Sequence, residues 1–355
     1  MTKNERIAVA MSGGVDSSVA AALLVEQGFE VFGLMMRLWS PGPDFRNRCC
    51  SPEDITIARN IAAQLGIPFH VLDIQERFKS QVVDTFTSGY AQGITPNPCL
   101  ACNRQIRWGF LLQTALAMGA THLATGHYAC VEKRNDHYVL LRAKDRSKDQ
   151  SYVLSVLGQY ELSHARFPLC DLSKKNVRQH ARRLALPIAE RTESQDLCFV
   201  ANGDYRRFLR QQGVSLPPPG PILDTSGKLL GNHDSLADFT IGQRKGIGVT
   251  MPHALYVLEK DVASNALIVG PRNALDRHSF LAGPINWTAG RPPALPIRAL
   301  VRVRYKAQEV MTTIRPEVND FVSVYLEKAL PDVTPGQAAV FYSDDECLGG
   351  GIIQP

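Results

Sequence analysis

Short apolar runs alternate with segments of helical period through the first half of the chain. Ile7-Ala8-Val9-Ala10-Met11, Glu30 to Met36, Phe69 to Ile74 and Thr121 to His127 each read as a strand, because a continuous apolar run of that length suits a parallel strand covered on both faces. Between them, Val19 to Leu24 and then Ile55, Ala58, Ile61, Ala62 and Leu65 recur at helical spacing. The second of these opens on Ser51-Pro52-Glu53-Asp54, which offers an N-cap, a proline in the first turn and an acidic third residue, and it stops at Gly66. A further helix is predicted from about Arg104 to Met118. Strands separated by helices define an open parallel α/β sheet, whose ligands sit at the carboxyl ends of the strands near a switch point. Residues 12–18, Met36 and Gly126-His127 all fall at that edge.

Beyond about residue 200 the helical period fades. Pro217-Pro218-Pro219-Gly220 marks a rigid connection, and Gly290-Arg291-Pro292-Pro293 a second one. Short alternating runs around these breaks, among them Ile297 to Tyr305, Phe321 to Leu326 and Ala338 to Tyr342, predict small antiparallel sheets or a barrel. The expected organisation is a Rossmann-like nucleotide and catalytic domain over 1–205, a small β-rich linker domain over 206–276 and a C-terminal β-barrel domain over 277–355. At 355 residues the chain is long enough for two or three cores.

The turn after the first strand reads Ser12-Gly13-Gly14-Val15-Asp16-Ser17-Ser18 and leads straight into a helix. Glycine at 13 and 14 admits positive φ and a close backbone approach, while the unpaired N–H groups of the new helix face the ligand, so the turn suits phosphate or pyrophosphate. It lacks the Gly-Lys-Ser/Thr ending that places a lysine on the β and γ phosphates. It resembles instead the PP-loop of ATP pyrophosphatases, which cut ATP between the α and β phosphates. An ordinary strand-turn-helix of small residues is the plainer alternative.

A hydrophobic fraction of 45% and a charged fraction of 21% exclude a disordered chain, and a net charge of +5 allows a polyanionic partner without requiring one. With neither a leader-like start nor an apolar run long enough to span a membrane, the expected location is cytoplasmic. The eight cysteines are then expected as thiols, ligands or catalytic groups, not as a disulfide framework. Cys99 and Cys102 lie in Thr95-Pro96-Asn97-Pro98-Cys99-Leu100-Ala101-Cys102-Asn103, a proline-stiffened loop entering a helix, so Cys102 is expected near a helix N-terminus that favours thiolate. Cys198 lies in Glu193-Ser194-Gln195-Asp196-Leu197-Cys198-Phe199. Cys130, Cys170 and Cys347 read as ordinary buried thiols, Cys49-Cys50 as a loop or packing pair, and Trp39 and Trp108 as core.

The joint order of the Ser12 loop, the Asn97-Pro98 loop with Cys102, Gly126-His127-Tyr128, Lys148-Asp149-Gln150-Ser151-Tyr152, Ser194 to Phe199, Gly242-Gln243-Arg244-Lys245-Gly246, Val303-Arg304-Tyr305-Lys306 and Pro335-Gly336-Gln337-Ala338 resembles the tRNA-specific 2-thiouridylase family from end to end. The resemblance implies sulfur insertion at the wobble uridine of the tRNAs for Lys, Glu and Gln, with AMP and pyrophosphate as products. It implies that Ala10, Met11, Ser12, Gly13, Gly14, Val15, Asp16 and Ser17 hold ATP and Mg²⁺, with Met36 and Gly126 against the adenosine. Cys198 would carry a persulfide delivered by a cysteine desulfurase or sulfur-relay protein, and Cys102 would release it. Asn97, Pro98, Cys99, His127, Lys148, Asp149, Gln150, Arg304, Tyr305 and Gln337 would contact tRNA. The family pattern has Asp where this chain has Cys99. That departure leaves three sulfurs, Cys99, Cys102 and Cys198, as candidate ligands of a 4Fe-4S cluster, with persulfide chemistry and zinc as alternatives.

Independently of the family, Arg302, Arg304 and Lys306 alternate with Val301, Val303 and Tyr305, so a strand there presents one basic face suited to phosphates. Further positive charge falls at Arg178, Arg182 and Arg183, at Arg206, Arg207 and Arg210, and at Arg244-Lys245; taken singly, each of these reads as solvated surface. Two other functions compete with thiolation. One is a PP-loop synthetase that adenylates an amino acid or nucleotide substrate, and the other is a non-catalytic RNA-binding protein.

Overall fold

The computed structural model describes residues 5–40, 51–191, 197–200, 203–294, 296–305, 307–331 and 333–355. Cys49-Cys50, Ser194-Gln195-Asp196 and Lys306 lie outside them. The apolar runs of the first half form a parallel sheet of five strands in the spatial order Phe69–Asp73, Glu30–Arg37, Arg6–Ala10, His122–Thr125 and Ala165–Arg166. Ala10 pairs with Leu34 on one side and Thr125 on the other, so the carboxyl ends of the three central strands lie level. The chain order reverses about the Arg6–Ala10 strand, which makes the crevice between it and His122–Thr125 the switch point.

Helices cover both faces. Val15–Glu26 buries Val19, Ala20, Ala21 and Leu24, and Pro52–Gln64 buries Ala58, Ile61 and Ala62. The second of these starts on the predicted capping box: the Ser51 hydroxyl accepts from Asp54 N, and Asp54 returns a bond to Ser51 N, worth about 1 kcal/mol. It ends before Gly66, whose φ is +69°. The segment between the Phe69–Asp73 strand and Thr95, for which no element is predicted, is helical over Gln75–Phe78, Lys79–Val83 and Asp84–Ala91.

A hairpin, Ala129–Arg134 with His137–Arg142, leaves the first domain's sheet and joins that of the C-terminal domain, where Cys347 pairs with Leu140. That sheet runs Arg277–Ala282, Val322–Leu330, Val310–Pro316, Ile297–Arg302, Ala338–Ser343, Glu346–Ile352 and then the hairpin, and a bridge from Ala282 to Ile353 draws its ends together. A four-stranded sheet, Tyr256–Asp261, Ala266–Gly270, Gly220–Asp224 and Leu229–His233, forms the middle domain. The first and last domains therefore share structure through the hairpin, and Leu140, Tyr152, Val340 and Tyr342 pack in a single cluster with Trp108 and Leu123.

Two sequence expectations are corrected here. Cys130 and Cys170, read as separate thiols, are joined in a disulfide with their Cα atoms 4.8 Å apart. Spacing could not reveal the pair, because it forms only when the hairpin folds back over the segment that follows the sheet's last strand. The expected basic strand over 301–306 ends at Arg302. Val301 and Val303 are fully buried as the alternation requires, but Arg302 turns to internal carboxylates.

Candidate active site

At the switch point the backbone turns through Ser12-Gly13-Gly14 into the Val15–Glu26 helix. Gly13 has φ +71°, and a Cβ there would lie 2.8 Å from Asp54 O, so the position demands glycine twice over. Gly14 departs from the expectation of positive φ: at φ −91°, ψ 164° it is the extended N-cap of the helix. Ser12 N donates to Ser17 Oγ at 3.1 Å, and Ser18 Oγ donates to Gly14 O at 2.8 Å, which fixes the turn from within. Arg191 closes it from outside, donating to Gly13 O at 3.1 Å and pairing with the buried Asp54 carboxylate at 2.5 Å. Gly126 ends the neighbouring strand so close to this turn that a Cβ would meet Ser17 N at 2.6 Å.

Asp16, in the first turn of the helix, is held by two groups. Tyr128 Oη donates to its Oδ1 at 2.8 Å, and Lys174 Nζ donates to both oxygens at 2.6 and 2.8 Å. Sequence reasoning missed Lys174 and Arg191. Each reaches the loop from well over a hundred residues away, and no local motif announces such a contact. Lys174 supplies next to the loop the cation that its sequence lacks. A single carboxylate beside a phosphate-binding turn is also the donor set Mg²⁺ takes together with a nucleotide.

Beside the turn, His127 is buried, and burial together with the adjacent Arg107 charge pushes its pKa well below the ordinary value. Arg107 can only donate, so His127 Nε2 accepts at 3.1 Å, and the neutral ring gives its Nδ1 proton to Thr125 Oγ1 at 2.8 Å. This ring orients the strand end and is largely enclosed. Gln150 and Tyr128 are strapped together, Tyr128 N donating to Gln150 Oε1 at 3.0 Å and Gln150 N to Tyr128 O at 2.8 Å.

Asp149 is 3% exposed; it accepts from Ala143 N, Ser151 N and Ser151 Oγ and pairs with Arg302 at 3.4 Å. Arg302 in turn bonds Glu309, which Arg142 also engages at 2.5 and 3.0 Å. Asp149, expected on tRNA, sits inside an ion network that fastens the first domain to the barrel. Gln337, expected on tRNA, donates to Thr95 O at 2.8 Å and holds the segment leading to the cysteine loop. Arg304 Nη2 donates to Ile241 O at 3.0 Å and to Thr334 Oγ1. Of the other basic clusters, Arg182, Arg183 and Arg210 pair with Glu190, Glu26 and Asp238.

Asn97 caps the next helix by accepting from Cys99 N at 3.1 Å, and Pro98 takes its first position. Helical backbone then runs from 98 to 117, wide-turned over Cys102–Leu111. It starts six residues before the predicted boundary at Arg104, and Cys102 is one turn inside it with its N–H already bonded to Pro98 O. The N-terminal, exposed cysteine is Cys99. Cys102 and Cys198, each half-buried, pack against one core cluster with Phe78, Ile106 and Phe199. Cys99, one helical turn before Cys102, is within electrostatic reach of Tyr305, whose hydroxyl pKa is raised by burial first and then by Asp149. Lys148 acts on the same phenol, so Cys99, Lys148 and Tyr305 share a neighbourhood. Among the described residues no three His, Cys, Asp or Glu side chains are grouped to hold a metal ion. Cys99, Cys102 and Cys198, the expected ligand set, are not grouped in that way.

A phosphate turn at the switch point of a five-stranded parallel sheet, with Asp16 at the start of its helix, defines a HUP-type nucleotide-binding protein. Residues 5–202 match a family model described as the tRNA methyl transferase HUP domain, 206–271 the tRNA methyl transferase PRC-barrel domain and 277–353 the aminomethyltransferase beta-barrel domain. The tRNA-specific 2-thiouridylase MnmA of Magnetococcus marinus is 44% identical over 358 residues, covering 99% of this chain and 100% of that protein. MnmA 1 of Syntrophus aciditrophicus is 45% identical over 350 residues, covering 99% and 93%. The chain belongs to the tRNA-specific 2-thiouridylase family. A solved structure, NMN synthetase from Francisella tularensis, overlaps 60% of this chain and 73% of its own at 19% identity and a TM-score of 0.37. Among the described residues no helix is long and apolar enough to cross a membrane.

Proposed function

We propose that this chain converts the wobble uridine of the tRNAs for Lys, Glu and Gln to 2-thiouridine at the expense of ATP. The observation that carries the reading is an open phosphate turn whose Asp16 is held between Lys174 and Tyr128, in a chain that continues into a thiol-bearing helix capped by Asn97. The uridine O2 attacks the α-phosphorus of ATP; the O2–P bond forms, the bond from the α-phosphorus to the bridging oxygen breaks, and pyrophosphate leaves. The N–H groups of the Ser12-Gly13-Gly14 turn receive the departing charge, and Lys174, already beside the loop, adds a cation to it. Mg²⁺, held by Asp16 and the phosphates, supplies charge neutralisation when bound.

Sulfur arrives as a persulfide on Cys198 from a cysteine desulfurase or relay protein. Cys102 thiolate attacks the inner sulfur, forming a Cys102–Cys198 disulfide and expelling hydrosulfide, which displaces AMP from C2 of the adenylated base. The half-buried position of both thiols on the Phe78–Phe199 cluster supports this pairing. Lys148, Tyr305 and the Asn97-Pro98-Cys99 turn face the tRNA, while His127, Asp149, Gln150, Arg304 and Gln337 position them.

Conversion of ATP to AMP and pyrophosphate, measured with and without unmodified tRNA, tests the reading. Turnover should require the RNA and vanish in Asp16→Asn. Turnover without RNA, driven by an amino acid or nucleotide, would instead favour a synthetase, and no turnover would favour a binding protein.

A further inference from the structure

The two groups that hold Asp16 come from segments that the chain separates and a disulfide joins. Tyr128 lies two residues before Cys130, at the base of the hairpin that belongs to the C-terminal sheet. Lys174 lies four residues after Cys170 and opens the Lys174–Arg183 helix, its backbone N–H bonded to Asp145. The Cys130–Cys170 bond therefore closes the base of the clamp whose tips are Tyr128 Oη and Lys174 Nζ. Among the described residues, Lys144 N also donates to Cys170 O at 3.0 Å, and Tyr128 packs with Leu169 and Val177 in one core cluster. The packing around the bridge is a small satellite cluster of Cys130, Val139, Leu141 and Cys170, separate from the main cores, and Cys170 is half-buried. Cys130 is buried and Cys170 half-buried, so thiolate attack on the bridge comes at Cys170 Sγ.

We propose that the Cys130–Cys170 disulfide is a redox device that sets the affinity of the phosphate loop for ATP, a proposal resting on the reading of that loop as an ATP site. In the oxidised chain Tyr128 and Lys174 are tethered around Asp16, and the site is preorganised for the nucleotide. A protein dithiol of the thioredoxin class breaks the Sγ–Sγ bond. Two electrons and two protons pass to the cysteines, leaving two thiols, and the donor becomes a disulfide. The hairpin and the Lys174 helix then separate more freely, and Lys174 spends less time at the loop. The expected change is a weakening of ATP binding by about fivefold, the low end of coupling between linked sites. ATP supply to the thiolation step would thus follow the thiol balance that also governs the Cys102–Cys198 pair.

The test is the dissociation constant of a non-hydrolysable ATP analogue with Mg²⁺ for the full chain, before and after treatment with a thioredoxin-class dithiol, with alkylated cysteines mapped by mass spectrometry. The proposal expects Cys130 and Cys170 to become alkylatable only after reduction, together with about a fivefold loss of affinity. The Cys130→Ser/Cys170→Ser double variant should sit at the weaker value in both states. A Cys102→Ser/Cys198→Ser variant should keep the redox response. Equal affinity in both states of the wild type, or Cys130 and Cys170 alkylating before reduction, overturns the proposal without any variant having to fold. If Asp16→Asn binds the analogue as tightly as wild type, the loop reading itself fails, whatever the disulfide does.

Discussion

Replacing Gly126 by Ala adds one methyl group where three backbone atoms of the phosphate-loop helix already stand. The new Cβ would meet Ser17 N at 2.6 Å, Asp16 C at 2.8 Å and Ser17 Cα at 3.0 Å, none of which can rotate away. Ordinary contact begins at 3.4 Å, so strand end and helix must part by about 0.8 Å. Overpacking of that kind costs about 1–3 kcal/mol, or a fall of about 2–12 °C in the melting temperature of a domain this size. The larger effect falls on chemistry, because the displaced atoms carry Asp16 and the N–H groups that meet phosphate. A shift near 1 Å costs on the order of 100-fold in rate. The assay is tRNA-dependent pyrophosphate release at saturating tRNA over a range of ATP, with melting followed by calorimetry on the same preparations. A variant that melts with wild type and keeps its rate within threefold would refute the placement of Gly126 against the loop.

Lys174→Met should slow pyrophosphate release by about 100-fold, while Tyr128 still anchors Asp16 and stability falls by only about 1–2 kcal/mol; a rate within threefold would remove Lys174 from the phosphate site. Arg302→Ala strips a cation from the buried Asp149 and from Glu309, so urea unfolding should show a loss of about 2–4 kcal/mol; an unchanged midpoint with weakened tRNA binding would restore Arg302 to the RNA surface. Burial depresses the pKa of His122 to about 4 and that of His127 well below 6.5. The unfolded chain binds protons at these two sites from pH 6.5 downward while the folded chain does not, so stability is retained above pH 6.5 and falls towards pH 4. His122→Gln with His127→Gln should flatten that part of the pH–stability curve, and an identical slope in the variant would contradict the neutral buried rings.

What was legible in the sequence was local. The four apolar runs became strands because their character is continuous, and the Ser51-Pro52-Glu53-Asp54 cap formed as written because its bonds span only three residues. The phosphate turn was legible too, although Gly14 takes the extended N-cap conformation and not a left-handed one. Contacts between distant segments were not legible. Lys174 and Arg191 carry no motif that points at the loop, and Cys130 pairs with Cys170 only because the 129–142 hairpin crosses to another domain's sheet. Alternation at 301–305 identified buried valines correctly and misled about the arginines, since the pattern says which face is polar and not what carboxylates it meets. The helix boundary at Arg104 was late because Pro98 reads as loop chemistry, yet it is favoured at the first position of a helix.

Nucleoside mass spectrometry of unmodified glutamate tRNA, after incubation with the chain, ATP, Mg²⁺ and a persulfide-charged cysteine desulfurase, tests the central claim most directly. The account predicts one 2-thiouridine per tRNA with wild type and with Cys99→Ala, and none with Cys102→Ala or Cys198→Ala. Absence of 2-thiouridine with wild type, or its persistence in the Cys102 and Cys198 variants together with loss in Cys99→Ala, would contradict it.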